Sequence, residues 1–234
     1  MTANRALRIT AALALALGPT VAACSKPSDS AQARGTPTPI RAQIRVAPVV
    51  DHHPWVIAFV TEISIARPPG ADARLEGRTG PEGLRHPEPI IEAETREALA
   101  DALADYERRR PRMPELRPVW QPEPFGPHER VAWRLYFVDT SRGFTLDDDA
   151  RATLEPHDLG PRVHVQLGES QRQQLAALTT EQVGRRIAIT ADDEVLMLPV
   201  VVEPIPDGDI ALVTSPHLDP KLSAPALFER LTAK

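Results

Sequence analysis

Apolar and polar positions recur along this chain with a period of two in some stretches and near 3.6 in others, and the changes of period mark its elements. Ile40, Ala42, Ile44 and Val46 alternate with polar neighbours and predict a strand; the apolar run Trp55 to Ile65 predicts a second. Residues 66 to 89 hold Pro68, Pro69, Gly70, Gly77, Gly80, Pro81, Gly83, Pro87 and Pro89, a density of breakers that predicts a loop. Ile91, Ala98, Leu99, Ala102, Leu103 and Tyr106 then fall on one helical face, with Glu92, Glu94 and Glu97 early and Arg108, Arg109 and Arg110 late, in keeping with the helix dipole. Pro111 is the expected stop.

The stretch Pro111 to Pro127 reads as a second proline-rich link, with a domain boundary near Arg130. Beyond it, Val131 to Asp139 is an expected strand with Val131, Trp133, Leu135 and Phe137 on one face, closed by the turn 139 to 143. Val163, Val165 and Leu167 alternate with Arg162, His164 and Gln166 as a half-buried strand. Gln171 to Leu178 is helical, and Thr179 to Gln182 has the spacing of a capping box opening a further turn, which Gly184 would close. Ile187 to Ala191 and Val195 to Val202 are expected strands meeting at Asp192-Asp193, and Ile210 to Thr214 is a last strand after the turn at 206 to 208. Pro199 cannot donate to a ladder, which places it at an edge or a bulge, and such an edge is suited to strand addition by a peptide.

The first residues follow a different grammar. Arg5 and Arg8 precede the apolar run Ile9 to Leu17, and small residues lead to Cys24, the three-part order of an export signal. The run is short of the ~20 residues of a spanning helix. Val21-Ala22-Ala23-Cys24 resembles the lipobox of bacterial lipoproteins, which implies cleavage between Ala23 and Cys24 and acylation of Cys24, the single cysteine of the chain. Acyl chains there would hold the protein to a membrane. The lipoprotein resemblance also implies a cell-envelope location facing the periplasm or the surface, and Ser25 after the cysteine favours the outer membrane. Residues 24 to 39 read as a flexible, disordered tether.

Charge narrows the partners. Loss of residues 1 to 23 removes two arginines and no acid, so 25 basic and 32 acidic residues leave a formal charge of −7. Nucleic-acid binding, which depends on clustered Lys and Arg, is excluded on this reading. Candidate chemistry is sparse. Ser170 lacks the glycine context of a nucleophile elbow. His52 and His53 are adjacent and would point to opposite sides of a strand, His164 should face solvent, and no cysteine completes a zinc set. Asp147-Asp148-Asp149 after Thr145 lacks the ligand spacing of an EF-hand and reads as the acidic first turn of a helix capped by Thr145. Arg108 to Arg110 with Arg112 read as a helix end. No catalytic residue, metal, cofactor or small-molecule substrate is expected.

The stretch LTTEQVGRRIAITADDEVLMLPVVVEPIPDGDIALVTS, residues 178 to 215, resembles the head of the first periplasmic domain of the protein-export subunit SecD. The matching positions are Leu178, Thr179, Gly184, Ala188, Ile189, Asp192, Asp193, Pro199, Ile205 and Gly208, and the resemblance extends over roughly residues 130 to 215. It departs at Asp193, where the family carries glycine, and lacks the membrane helices that couple proton flow to export. The expected fold is α+β: a mostly antiparallel sheet with helices on one face over residues 130–216, preceded by a smaller α+β unit at 40–127 and followed by a tail at 217–234. The resemblance implies a non-enzymatic module binding polypeptide or an envelope protein partner. The alternatives are an envelope hydrolase with a scattered active site and a structural surface lipoprotein.

Overall fold

A computed structural model describes residues 35–79, 85–125, 130–157, 160–212 and 223–233. Ala23, Cys24 and the signal before them lie outside the described residues, as does the tether up to residue 34. Residues 32 to 234 make one compact unit. The class is α+β as expected, with twelve described strands in two sheets and four described helices.

A short strand β1 (Thr38–Pro39) is followed by β2 (Ile44–Pro48). The run from Trp55, expected as a strand, is helix α1 (Pro54–Ala66). Its apolar residues are rich in Val and Ile and nearly continuous, which hides the period. Yet the buried ones, Val56, Phe59, Val60 and Ile63, keep helical spacing. Its start was also encoded: His53 Nδ1 accepts the Trp55 N–H at 3.2 Å, and Pro54 supplies the first turn.

The expected loop at 66 to 89 is a correction too. It holds β3 (Ala71–Thr79) and most of β4 (Arg85–Ala93), paired antiparallel over nine positions. After helix α2 (Arg96–Arg109), capped by Thr95, the expected link at 111 to 127 contains β5 (Leu116–Phe125), paired over ten positions with β6 (Arg130–Asp139). The prolines are tolerated because of their spacing. In a strand, alternate residues aim their backbone polar groups to the same side. Pro118, Pro122 and Pro124 share the side of Trp120, whose N–H leaves β6 and donates to Asp193 O at 2.8 Å. Pro87 and Pro89 likewise face away from β3, toward a gap where β4 pairs with β6 only at Glu92 and Ala93.

The second half continues with β7 (Phe144–Thr145), β8 (Arg151–Glu155), β9 (Arg162–Gln166), helix α3 (Glu169–Glu181), β10 (Ile187–Ala191), β11 (Glu194–Met197), β12 (Asp209–Leu212) and helix α4 (Ala224–Thr232). The strand expected over Val195 to Val202 is regular only over Glu194–Met197, with an isolated bridge at Val200, and three further expectations change here. No helix follows Thr145; Asp147 Oδ1 instead accepts the Asp149 N–H in a turn. Thr179 opens no new helix, since α3 runs through it. The pattern assigns no element to residues 217–234, where the structure has α4. The turn at Asp192-Asp193 is as expected, with Asp192 left-handed at φ 56°.

The larger sheet has the order β3-β4-β6-β5-β11-β10-β2-β7, and part of it closes on itself. β2 pairs with β10 on one edge; on the other it pairs with β7, and Val49 bridges Val138 of β6. The strands β6, β5, β11, β10 and β2 thus form a small barrel. Its lumen holds Ala47, Val49, Val119, Tyr136, Val138, Ala188 and Val195, mostly small side chains of the size that a narrow barrel admits. Gly143 is required at the closure, because a Cβ there would lie 2.6 Å from Val46 O.

Two further cores flank the barrel. α1 and α2 cover one face of β3, β4 and β6 through Phe59, Leu99, Leu103, Tyr106, Leu135 and Phe137. The four-stranded sheet β1-β8-β9-β12 packs with α3 and α4 against Ile44 and Val46 on the outside of β2. The segment 130–216, expected as one layer, therefore contributes strands to both sheets.

Candidate functional site

The residues that carried the family pattern build architecture. Leu178 is buried in the α3 core. Thr179 is fully buried, and its hydroxyl donates to Leu175 O at 2.7 Å and accepts the Ile205 N–H at 2.9 Å. That pair of bonds pins the segment 198–208 onto α3. Gly184 has φ 78° and donates its N–H to Val201 O; Pro199 O accepts the Ile187 N–H, so Pro199 extends the β10–β11 hairpin through its carbonyl. Ala188 lies in the barrel lumen and Ile205 packs on the head core. Gly208, at φ 72°, lies against Arg172, whose Cγ would be 1.9 Å from an added Cβ.

Together these residues project a two-stranded extension beyond β10 and β11. The bonds of Gly184 and Arg185 to Val201 set residues 183 and 202 facing each other at its end. Val183 is 49% exposed and Val202 72% exposed, beside the exposed Arg185 and Glu203. The two solvated valines give this end of the hairpin an apolar tip. Sequence reading missed them because Val200, Val201 and Val202 read as strand interior; Glu203 after the run was the one signal of a solvated end.

At the same end of the barrel, where it bridges Val200, Arg186 is 7% exposed and fills the notch between β4 and β6. It bonds Asp51 through Nε at 3.2 Å and through its Nη2 at 2.7 Å, bonds Glu88, and lies 5.1 Å over the Tyr136 ring. Burial opposes its charge, but Asp51 and Glu88 outweigh burial and hold its pKa above the ordinary value. Burial also raises the Tyr136 phenol. This network is a structural clasp.

The remaining candidates stay separate. His53 is a helix cap. His164 is half-buried rather than solvated, with its ring nitrogens 3.8 Å from Glu155 and 3.7 Å from Asp209. Ser170 is exposed in the first turn of α3. Arg109 pairs with Glu62 and Asp105, Arg108 with Asp105 and Arg112 with Glu107, as a helix end would. Among the described residues, no group of three His, Cys, Asp or Glu side chains is placed to hold a metal. No described helix is long and apolar enough to cross a membrane.

An α+β module whose pattern residues set the path of one hairpin and its return segment is the class that this geometry defines. Residues 142–217, about a third of the chain, match the family model of the SecDF P1 head subdomain. A comparison with curated proteins finds no match. Three solved structures of SecDF are similar to the chain. The first, described as a membrane component that enhances protein export, has 15% identity and a TM-score of 0.30, over 82% of this chain and 94% of that one. SecDF in its super-membrane-facing form has 17% identity and a TM-score of 0.30, over 84% of this chain and 28% of that one. The translocon-associated SecDF of Thermus thermophilus has 16% identity and a TM-score of 0.29, over 82% and 29%. The chain therefore spans less than a third of the last two.

Proposed function

We propose that this protein is a lipid-anchored, non-enzymatic component of the cell envelope whose head-like module binds polypeptide or an envelope protein partner in connection with protein export. The observation that carries the reading is the match of residues 142–217 to the SecDF P1 head subdomain. Within that stretch, the solvated pair Val183 and Val202 is the surface assigned to the partner. The lipobox at Val21 to Cys24 supports anchoring at Cys24 on the periplasm-facing side, and Ser25 supports the outer membrane.

A photo-crosslinking residue placed at Val202 in living cells tests the binding, with the same residue at exposed Glu181 as control. Recovery of an export component or an unfolded envelope protein from position 202 alone supports the reading; equal or no recovery from both positions refutes it. Mass spectrometry of the membrane fraction tests the anchor separately: a diacylated or triacylated Cys24 is expected, and a free thiol on a chain starting at Met1 refutes it.

A further inference from the structure

The larger sheet has a step where it narrows. β4 ends at Ala93, opposite Trp133, but β6 begins three residues earlier, at Arg130. The position opposite Val131 would be residue 95, and Thr95 has already left the sheet to cap α2. A groove of about 310 Å³ occupies the step, lined by Gly70, Ala71, Asp72, Glu92, Ala93, Glu94, Val131 and Ala132.

The register determines what β6 offers there. Pro122 and Pro124 oppose Trp133 and Val131 and have no N–H, so the odd-numbered residues of β6 direct their backbone groups away from β5. Phe137 O, which accepts the Val50 N–H on that side at 3.0 Å, confirms the direction. The Val131 N–H and C=O therefore face the groove, and among the described strands nothing pairs with them. Val131 itself is 42% exposed. An unpaired edge beside small apolar side chains is the arrangement that accepts an added strand.

The charge around the groove selects its occupant. Among the described side chains, Asp72, Glu76, Glu92, Glu94 and Glu123 supply five carboxylates against the three guanidinium groups of Arg74, Arg96 and Arg134. Arg74 is held by Asp72, Glu76 and Glu92, Arg134 by Glu92 and Glu123, and Arg96 lies over the Trp120 and Trp133 rings. Glu94, exposed on the rim, has no ion-pair partner among the described residues. We propose that this groove is a second polypeptide site, which takes a short extended segment with an aliphatic residue on the Ala71, Ala93 and Val131 floor and a Lys or Arg beside it against Glu94. The site rests on the polypeptide-binding reading above but uses a surface outside the head match.

The test is titration of the full chain in detergent micelles with the blocked peptide Val-Lys-Val-Lys-Val, with Val-Glu-Val-Glu-Val as its counterpart, followed by tryptophan fluorescence, with a Trp133→Phe variant to assign the change to Trp133. The basic peptide is expected to bind and the acidic one not to. Glu94→Gln should weaken binding about threefold to fivefold at low salt, as an exposed ion pair does. Val131→Pro deletes the groove-facing N–H and exchanges the isopropyl group of the floor for the proline ring, and should weaken it at least about tenfold, the value of a lost hydrogen bond with its desolvation. Both variants should keep the wild-type melting temperature, because neither change touches the β5 ladder. Equal binding of the two peptides, absence of binding, or wild-type affinity in both variants overturns the proposal, as does a dimer of the chain that occupies the groove and is lost in Val131→Pro. The crosslink at Val202 is unaffected by any of these outcomes.

Discussion

Removing the Arg186 guanidinium is the most informative single perturbation of this fold. Arg186→Ala takes away a cation 7% exposed, three hydrogen bonds to two carboxylates and a contact with the Tyr136 ring. Breaking a buried pair from one side costs about 3–5 kcal/mol, because the partner charge stays behind. The Asp51 and Glu88 side chains are 18% and 17% exposed, so water reaches them in part and the lower end of that range, about 3 kcal/mol, applies. The lost cation–π contact adds roughly 1 kcal/mol. At about 2–4 °C per kcal/mol for a domain of this size, the melting temperature should fall by roughly 8–16 °C. Thermal and urea unfolding followed by tryptophan fluorescence measures it. Arg186→Met combined with Asp51→Asn and Glu88→Gln should recover most of the loss, since no charge then remains buried. A single variant within about 1 kcal/mol of wild type, or a triple variant no better than the single, refutes the clasp.

Other perturbations separate the parts of the fold. Gly143→Ala should cost about 3 kcal/mol by urea unfolding, since the added Cβ meets Val46 O at 2.6 Å and Ala47 Cβ at 2.7 Å, which cannot move without opening the barrel. Gly208→Ala should cost about 2 kcal/mol, because the outer Arg172 side chain can swing away and what remains is the left-handed backbone and a close contact of 3.0 Å with Arg172 Cβ. Thr179→Val loses both hydroxyl bonds and strands the Ile205 N–H, about 1–3 kcal/mol, with faster hydrogen exchange at Ile205 as its signature. Tyr136 should ionise above the ordinary phenol value in an alkaline absorbance titration, and Tyr136→Phe should remove that late step. The folded protein holds this proton more tightly than the unfolded chain. Its contribution to stability is thus complete below the unfolded pKa of about 10 and is lost as pH rises through the folded value.

What the sequence made legible depended on whether a signal was local. The body of α2 could be read because the apolar face from Ala98 to Tyr106 and the terminal arginines agree, but its start could not, since Ile91 and Glu92, expected in its first turn, belong to β4 and Thr95 is the cap; β6, β9 and the Asp192 turn could be read from local pattern. β3, β4 and β5 could not, because the rule that prolines break strands ignores which side each residue faces. Pro87 with Pro89, and Pro118 with Pro122 and Pro124, fall on alternate positions, a spacing that argues for strands once it is noticed. Barrel closure was invisible, since Val49 meets Val138 only through contacts distant in sequence. The head pattern was found on residues that turned out to be structural, whereas Val202, Glu94 and Val131 have no motif and become visible only through exposure and register.

The place of β2 in the ladder has a consequence for biogenesis. This strand, early in the described body, has its main partner at Ile187–Ala191, and the residues just before it are held by α4, where Leu231 O accepts the Arg41 N–H at 2.7 Å. The two ends of the body thus latch onto each other, and contacts so far apart in the chain form late and slowly. The body must therefore remain open until α4 has been made. Products released early lack the residues that complete their own beginning, and quality-control proteases would meet them unfolded.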